Sequence, residues 1–244
     1  MTDIRRPYVE GDYYSSPEEK QSFLRKIFDD TAPYYEGIAK WGWFGSGAWY
    51  RREALKRHGM QPGMKVVDVA SGTGPVGRAI LEIIKNSDDL VLCEPSAGMI
   101  EESKKTVPAE HHQCTAENLP LEDESRDFLT MGFALRHVDD LDESFREFRR
   151  VLKEDGKLLI MDVTVPSNAF GRFWFTLYFR YILPWFTLIF TFNREAYRLM
   201  VYYWETMDQM TPRDTVVEIL QEAGFRDVEH KVLLGCFSEY SARR

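Results

Sequence analysis

The residues best placed to do chemistry in this chain gather around one turn. Gly72-Thr73-Gly74-Pro75-Val76-Gly77 reads G-x-G-x-x-G. It follows an apolar run, Val66-Val67-Asp68-Val69-Ala70, which has the character of a buried parallel strand. It precedes Val76, Ile80, Leu81 and Ile84, an apolar face at helical spacing. Pro75 opens that helix, where a missing N–H costs nothing. A strand, a glycine turn and a helix N-terminus let backbone approach a ligand closely. Two carboxylates flank the turn: Asp68 lies in the first run, and Glu94 ends the next, Leu90-Val91-Leu92-Cys93.

Two cofactors compete for this pattern. A dinucleotide would use the glycines for its pyrophosphate and Glu94 for a ribose. S-adenosylmethionine (SAM) carries an ammonium, a sulfonium and a ribose but no phosphate. It calls for an acid near the first strand's end and a second acid for the ribose hydroxyls. Asp68 and Glu94 fit that pair. Asp68 has no use beside a pyrophosphate, because like charges repel. The SAM reading is therefore preferred, with a nicotinamide-dependent oxidoreductase and a plain glycine-rich loop as the alternatives.

The elements that must position these groups follow in order. Ser16 caps a helix from Pro17, with Phe23, Leu24, Ile27 and Phe28 on its apolar face. An aromatic stretch then runs through Tyr34, Tyr35, Trp41, Trp43, Phe44, Trp49 and Tyr50. After the glycine turn, residues 90–93 predict a strand, 96–105 a helix capped by Ser96, 111–115 a third strand and 128–133 a fourth. Leu141, Phe145, Phe148 and Leu152 predict a helix over 141–152, and residues 157–163 a fifth strand after Asp155-Gly156. Near the end, Thr211 caps a helix with Pro212 first and Gly224 as its stop. Residues 228–234 and 236–240, parted by Gly235, form an antiparallel hairpin. The alternation predicts an α/β protein: a doubly wound, Rossmann-like sheet, mostly parallel, with that hairpin and a helical cap. Ligands in such sheets sit at the strands' carboxyl ends, where Asp68, Glu94, Thr115-Ala116-Glu117 and residues 132–137 all fall. The division expected is a cap over 1–60, a cofactor-binding core over 61–165, a second cap over 166–210 and the end of the sheet over 211–244.

Residues 170–192, FGRFWFTLYFRYILPWFTLIFTF, are the most apolar of the chain. Arg172 and Arg180 within them are expensive in lipid, and Pro184 splits them, so spanning a membrane is disfavoured. Three roles remain: lying on a membrane surface, walling a greasy pocket, or packing as a cap of their own. As a pocket wall, Phe175 and Phe179 would face Tyr34, Tyr35, Trp41 and Trp43 across a flat apolar acceptor.

Composition excludes several classes. The chain has 244 residues, 44% hydrophobic and 29% charged, with a net charge of −8. It is globular and shows no long basic run, against nucleic-acid binding. Cys93, Cys114 and Cys236 have no metal-ligand spacing, and no metal is expected. Reduced thiols and the lack of an apolar leader in MTDIRRPYVEGDYY point to the cytoplasm. The oligomeric state is not encoded in any pattern found.

VVDVASGTG, LCEPSAGMI and CTAENLPLEDESRDFLTMGFALRHVDDLDESFREFRRVLKEDGKLLIMD together resemble the class I SAM-dependent methyltransferases, in particular the UbiE-like quinone C-methyltransferases. FDDTAPYYE and LQEAGFRDVE extend the resemblance over most of residues 25–240. It implies an enzyme that moves a methyl group from SAM to a carbon or oxygen of an apolar, ring-containing acceptor. It implies that Asp68, Ala70, Ser71, Gly72, Thr73 and Gly74 surround the methionine part of SAM, and that Glu94 takes both ribose hydroxyls. Pro95, Ser96 and Met99 would flank ribose and adenine, Thr115, Ala116 and Glu117 would meet the adenine, and Gly132, Phe133 and Ala134 would lie beside the sulfonium. Arg136 and His137 would face the substrate, His137 as general base and Arg136 stabilising an enolate or phenolate. The chain departs from the family pattern at Ser71 (Gly in the family), Gly132 (Ser) and Arg136-His137 (Arg-Asn). A SAM-fold protein that binds a lipid or partner without catalysis is the remaining alternative.

Overall fold

The computed structural model describes residues 14, 16–42, 45–208 and 210–244. Its centre is β1 (Val66–Val69), paired in parallel with β2 (Leu90–Cys93) on one side and β4 (Arg126–Gly132) on the other. Outward from these lie β3 (Glu110–His112) and β5 (Leu152–Val163), both parallel. β7 (Phe237–Arg243) inserts antiparallel between β5 and β6 (Arg226–Leu233), giving the order β3-β2-β1-β4-β5-β7-β6. The hairpin turn is Leu234-Gly235, both at positive φ, with Cys236 N–H donating to the Leu233 carbonyl. That geometry matches the right-handed twist of the strands it joins.

β1 is buried on both faces because helices cover both. Val67 and Val69 face α5 (Leu141–Val151) and α9 (Arg213–Glu222). Val66 faces α2 (Ser46–Arg57) and α3 (Pro75–Ile84). In α5, Leu141, Phe145, Phe148 and Val151 have no exposure, and Asp140 caps the helix by accepting from Glu143 N–H at 3.0 Å. Fully burying each phenylalanine contributes roughly 1.5–3 kcal/mol. β2 leads through Ser96 into α4 (Ala97–Lys104), whose Met99 N–H donates to the Ser96 hydroxyl at 3.1 Å.

Several boundaries differ from the sequence expectation, among them these four. β3 stops at His112 because it is an edge strand with one neighbour, leaving residues 113–115 in the loop. Leu152 opens β5 instead of closing α5. Pro212, not Thr211, stands at the N-cap of α9. Pro184 does not split the apolar segment: α6 (Ala169–Thr176), a π-helical stretch (Leu177–Ile182) and α7 (Leu183–Thr191) run on as one helix. Phe175, Phe179, Leu183 and Thr187, spaced by four, are buried, with Pro184 beside Leu183. In a pure α-helix that spacing drifts by about 40° per step. The wider π turns take up the drift and hold the stripe on one face.

The cap lies over the carboxyl end of the sheet. α1 (Pro17–Gly42) runs 26 residues with Pro33 inside it, and Glu19 N–H donates to the Ser16 hydroxyl at 3.2 Å. Ile27 and Ile38 of α1 pack with Phe175, Phe179 and Leu183, and with Leu199, Met200 and Trp204 of α8 (Arg194–Asp208), around Val163 at the end of β5. Among the described residues, one helix, 169–191, has the length and apolar content needed to cross a membrane.

Candidate active site

The floor of the site is built where β1 and β2 end. Ala70, Gly72 and Gly74 all take positive φ, so the chain folds back within five residues. A side chain at Gly74 would strike Ser103 and Val107 at 2.6 Å, so the left-handed turn and the close approach of α4 both need glycine here. Gly72 N–H donates to Glu94 Oε2 at 2.8 Å, and Ser96 N–H to Glu94 Oε1 at 2.9 Å. Burial raises the Glu94 carboxyl to about 7 against the pull of those two N–H groups. Each oxygen keeps a lone pair for a further donor.

These residues line a cavity of about 180 Å³. Ala70, Ser71, Gly72, Glu94, Pro95, Ser96, Met99, Thr115, Ala116, Glu117, Gly132, Phe133, Ala134 and His137 form its floor and sides, as the sequence implies. Tyr35 and Phe179 contribute to the roof. Phe133 sits at φ 64, a strained position for a bulky side chain at the cavity wall. A side chain at Gly132 would meet Val76 Cγ2 at 2.7 Å; Val76, itself at the wall, takes the space that a serine would need.

Other expected residues lie off the wall. Asp68 is fully buried beneath the turn, because it stands opposite Thr130 in register and Thr130 Oγ1 donates to it at 2.7 Å. Burial raises its carboxyl to about 7. Thr73 and Gly74 shape the turn from below; the Thr73 hydroxyl donates outward to Glu36 at 2.9 Å. Arg136 is also off the wall. The 3₁₀ turn Leu135–His137 sends it into the interior, where Nη1 bonds Asp162 at 2.9 Å and the guanidinium lies 4.3 Å over the Tyr203 ring. Buried and paired, this arginine lies against Tyr203 and not at the cavity wall. Phe175 stands behind Phe179, ring centroids 4.3 Å apart, in the core of the cap. Replacing either with serine would cost several kcal/mol of packing, so such a change reads the stability of the cap. Tyr34 turns outward and is exposed. The Trp41 side chain and Trp43 lie outside the described residues.

His137 follows Arg136 by one residue and points the other way. Its ring is half-buried at the wall between Phe28 (centroids 5.4 Å) and Tyr202 (5.8 Å). Burial and the neighbouring Arg136 hold it well below its ordinary pKa, so the ring is neutral. Its Nδ1 is buried without a hydrogen-bond partner among the described residues. The Ser71 hydroxyl and Arg51 Nε, also of wall residues, are in the same condition. Three wall residues thus carry a buried polar atom that no described residue satisfies. Among the described residues no group of three or more His, Cys, Asp or Glu could hold a metal ion.

The roof brings in residues that sequence reasoning missed. Leu24, Phe28, Ile38 and Ala39 come from α1, Leu183 from α7 and Met200 from α8. Arg51 of α2 lies 4.9 Å over the Phe133 ring and has no ion-pair partner among the described residues. α1 is strapped to the floor at three points. Lys20 reaches Asp139 at 3.2 Å, and Gln21 bonds the same carboxylate at 2.5 Å. Asp29 accepts from the Ser96 hydroxyl at 2.6 Å and from Gly98 N–H at 2.9 Å. Glu36 accepts from Thr73 and from Arg78. The motif FDDTAPYYE was the available signal for Asp29 and Glu36.

The model of the ubiE/COQ5 methyltransferase family matches residues 15–239. The demethylmenaquinone methyltransferase of Symbiobacterium thermophilum is 29% identical over 90% of this chain and 91% of that protein. A ubiquinone/menaquinone biosynthesis C-methyltransferase of Shewanella is 27% identical over 87% of this chain and 86% of its own. Among solved structures, a SAM-dependent methyltransferase of Aquifex aeolicus superposes with a TM-score of 0.58 at 19% identity, over 79% of this chain and 88% of that one.

Proposed function

The chain belongs to the ubiE/COQ5 methyltransferase family and is a SAM-dependent methyltransferase, and from that premise we propose that its acceptor is an apolar, quinone-like ring methylated on carbon. The dinucleotide alternative is set aside with the family. The observation that carries the reading is the division of the cavity wall. Its floor offers a carboxylate and orphaned polar atoms, while its roof, from Leu24 and Phe28 to Phe179, Leu183 and Met200, is mainly apolar, with Gln21 and Arg25 of α1 as its polar and charged members.

When bound, SAM supplies an electrophilic methyl group on a sulfonium. Glu94 would hold the ribose hydroxyls with the lone pairs that its two backbone partners leave open. Arg51, which lines the cavity and has no ion-pair partner among the described residues, is the group available for the carboxylate of the amino-acid end. The roof excludes water from the reacting carbon and orients a flat ring, much of what a displacement at a methyl needs. A ring carbon of a quinol becomes nucleophilic as a proton leaves. His137, neutral and with Nδ1 unoccupied, is placed to take it. Arg136 would act through Tyr203, against which it lies. The demethylated, prenylated quinols suggested by the relatives' names fit such a site. The three free cysteines fit a reducing compartment.

The experiment is to supply SAM with an isotope-labelled methyl and a demethylated prenyl quinol, and to locate the label in the product by mass spectrometry and NMR. The expected product carries it on a ring carbon. Label on a ring oxygen would replace the carbon assignment with O-methylation, and an unlabelled quinol would remove this acceptor class.

A further inference from the structure

We propose that the outward face of the helix over 169–191 docks the protein on an anionic bilayer surface. The inward stripe of this helix, Phe175, Phe179, Leu183 and Thr187, is buried. Its other faces are not covered. Phe170, Phe173, Trp174, Tyr181, Trp185 and Phe190 are each more than half exposed, and Phe192 just beyond is 89% exposed. Several pack on one another, as in the Phe170–Trp174 and Phe173–Trp174 pairs, while Trp185 also meets the Tyr197 ring of α8 edge-on. A water-soluble surface rarely keeps so large an apolar patch without a use.

Three observations choose the occupant. First, the exposed rings include Trp174, Tyr181 and Trp185, side chains suited to the headgroup boundary, where one part is apolar and another wet. Second, the charge is inverted relative to the rest of the molecule. No acid stands between Asp162 and Glu195, while Arg172, Arg180 and Arg194 fall there, on a chain of net charge −8. Basic side chains flanking an interfacial apolar face are drawn to anionic lipid. A second copy of this face set against it by a two-fold axis would instead bring like charges together. Third, the patch backs directly on the cavity: Phe179 and Leu183 line it from the inside of the same helix. An apolar ligand passing from bilayer to cavity would cross only the width of one helix. The helix does not span the bilayer, because its inward stripe belongs to the cap core and Tyr178 donates to the Gly42 carbonyl at 2.8 Å.

The docking rests on the surface alone and stands whatever the acceptor proves to be. The test is sedimentation of the full-length protein with phosphatidylcholine vesicles, plain or doped with phosphatidylglycerol. Binding is expected to the doped vesicles and to weaken with added salt. The double variant Trp185→Ser, Phe190→Ser should keep S-adenosylhomocysteine affinity and circular dichroism, since both side chains face solvent, yet lose vesicle binding by about tenfold or more. Arg180→Glu should abolish the preference for phosphatidylglycerol, an effect of about fivefold or more. No binding to either vesicle overturns the proposal. So does equal binding of the double variant, or a solution dimer that it dissolves without any vesicle effect. Vesicle binding without methylation of quinols would leave the docking standing and remove the acceptor assignment instead.

Discussion

The floor and the roof of the cavity are held together by different physics. The floor is backbone: a turn of left-handed residues, strand ends in fixed register, and a carboxylate bonded to two N–H groups. The roof is side chains, namely aliphatic and aromatic groups from α1, α7 and α8, tied down by a few polar straps. The floor would be the same for any acceptor, because it faces the cofactor. Specificity must come from the roof and from the polar wall residues beside it, Gln21 and Arg25 of α1 and His137.

The largest effect should come where the two regions meet. His137→Asn restores the residue that the resembling family carries. If His137 takes the proton, turnover should fall by about 10²–10⁴-fold while S-adenosylhomocysteine affinity stays put. Unchanged turnover would make the ring a packing element between Phe28 and Tyr202. Glu94→Ala probes the floor alone. Loss of a charged acceptor should weaken S-adenosylhomocysteine by about ten- to a hundredfold, roughly 1.5–3 kcal/mol. Isothermal calorimetry decides, and an unaltered dissociation constant would show that Glu94 does not hold the ribose.

A smaller change tests whether the roof is fastened to the floor. Asp29→Ala removes the acceptor for Ser96 and Gly98 while Asp29 itself lies off the cavity wall. Cofactor affinity should drop by about three- to tenfold, with a faster dissociation rate in stopped flow. An unaltered rate would mean that α1 closes the site without that strap.

Within the floor, stability and cofactor affinity should part company with pH. Burial holds Glu94 and Asp68 at about 7 in the folded chain, against about 4 in an unfolded one. Between those values the native state binds more protons, so stability should fall as pH rises through the window. Cofactor affinity should run the other way, because the ionised Glu94 is the better acceptor, and should level off above about pH 7. Melting temperature and S-adenosylhomocysteine titration over the same buffers check both signs. Parallel trends would show that Glu94 is not the group linking them.

The floor was legible in the sequence because local pattern determines it. A run of β residues, two glycines and a proline force the turn, and strand ends bring Glu94, Thr115 and Gly132 to one edge whatever the rest does. Asp68 shows the limit of that reasoning: pleat alternation aims it at Thr130, not at the ligand. Arg136 and His137 show another, since adjacent residues in a 3₁₀ turn point apart. The roof was only half legible. Its apolar content was plain, but Gln21 meets Asp139 across 118 residues, and no local pattern announces such a partner. Pro184 read as a break because a π-helical stretch, which absorbs it, has no sequence signature of its own.

The most direct measurement is kcat/KM at saturating SAM for one quinol ring, bare and with a prenyl tail, beside a phosphorylated amine of similar size. An apolar roof over a cofactor floor requires kcat/KM to rise with the tail and the amine to stay unmethylated. Methylation of the amine, or a ring rate indifferent to the tail, would contradict it.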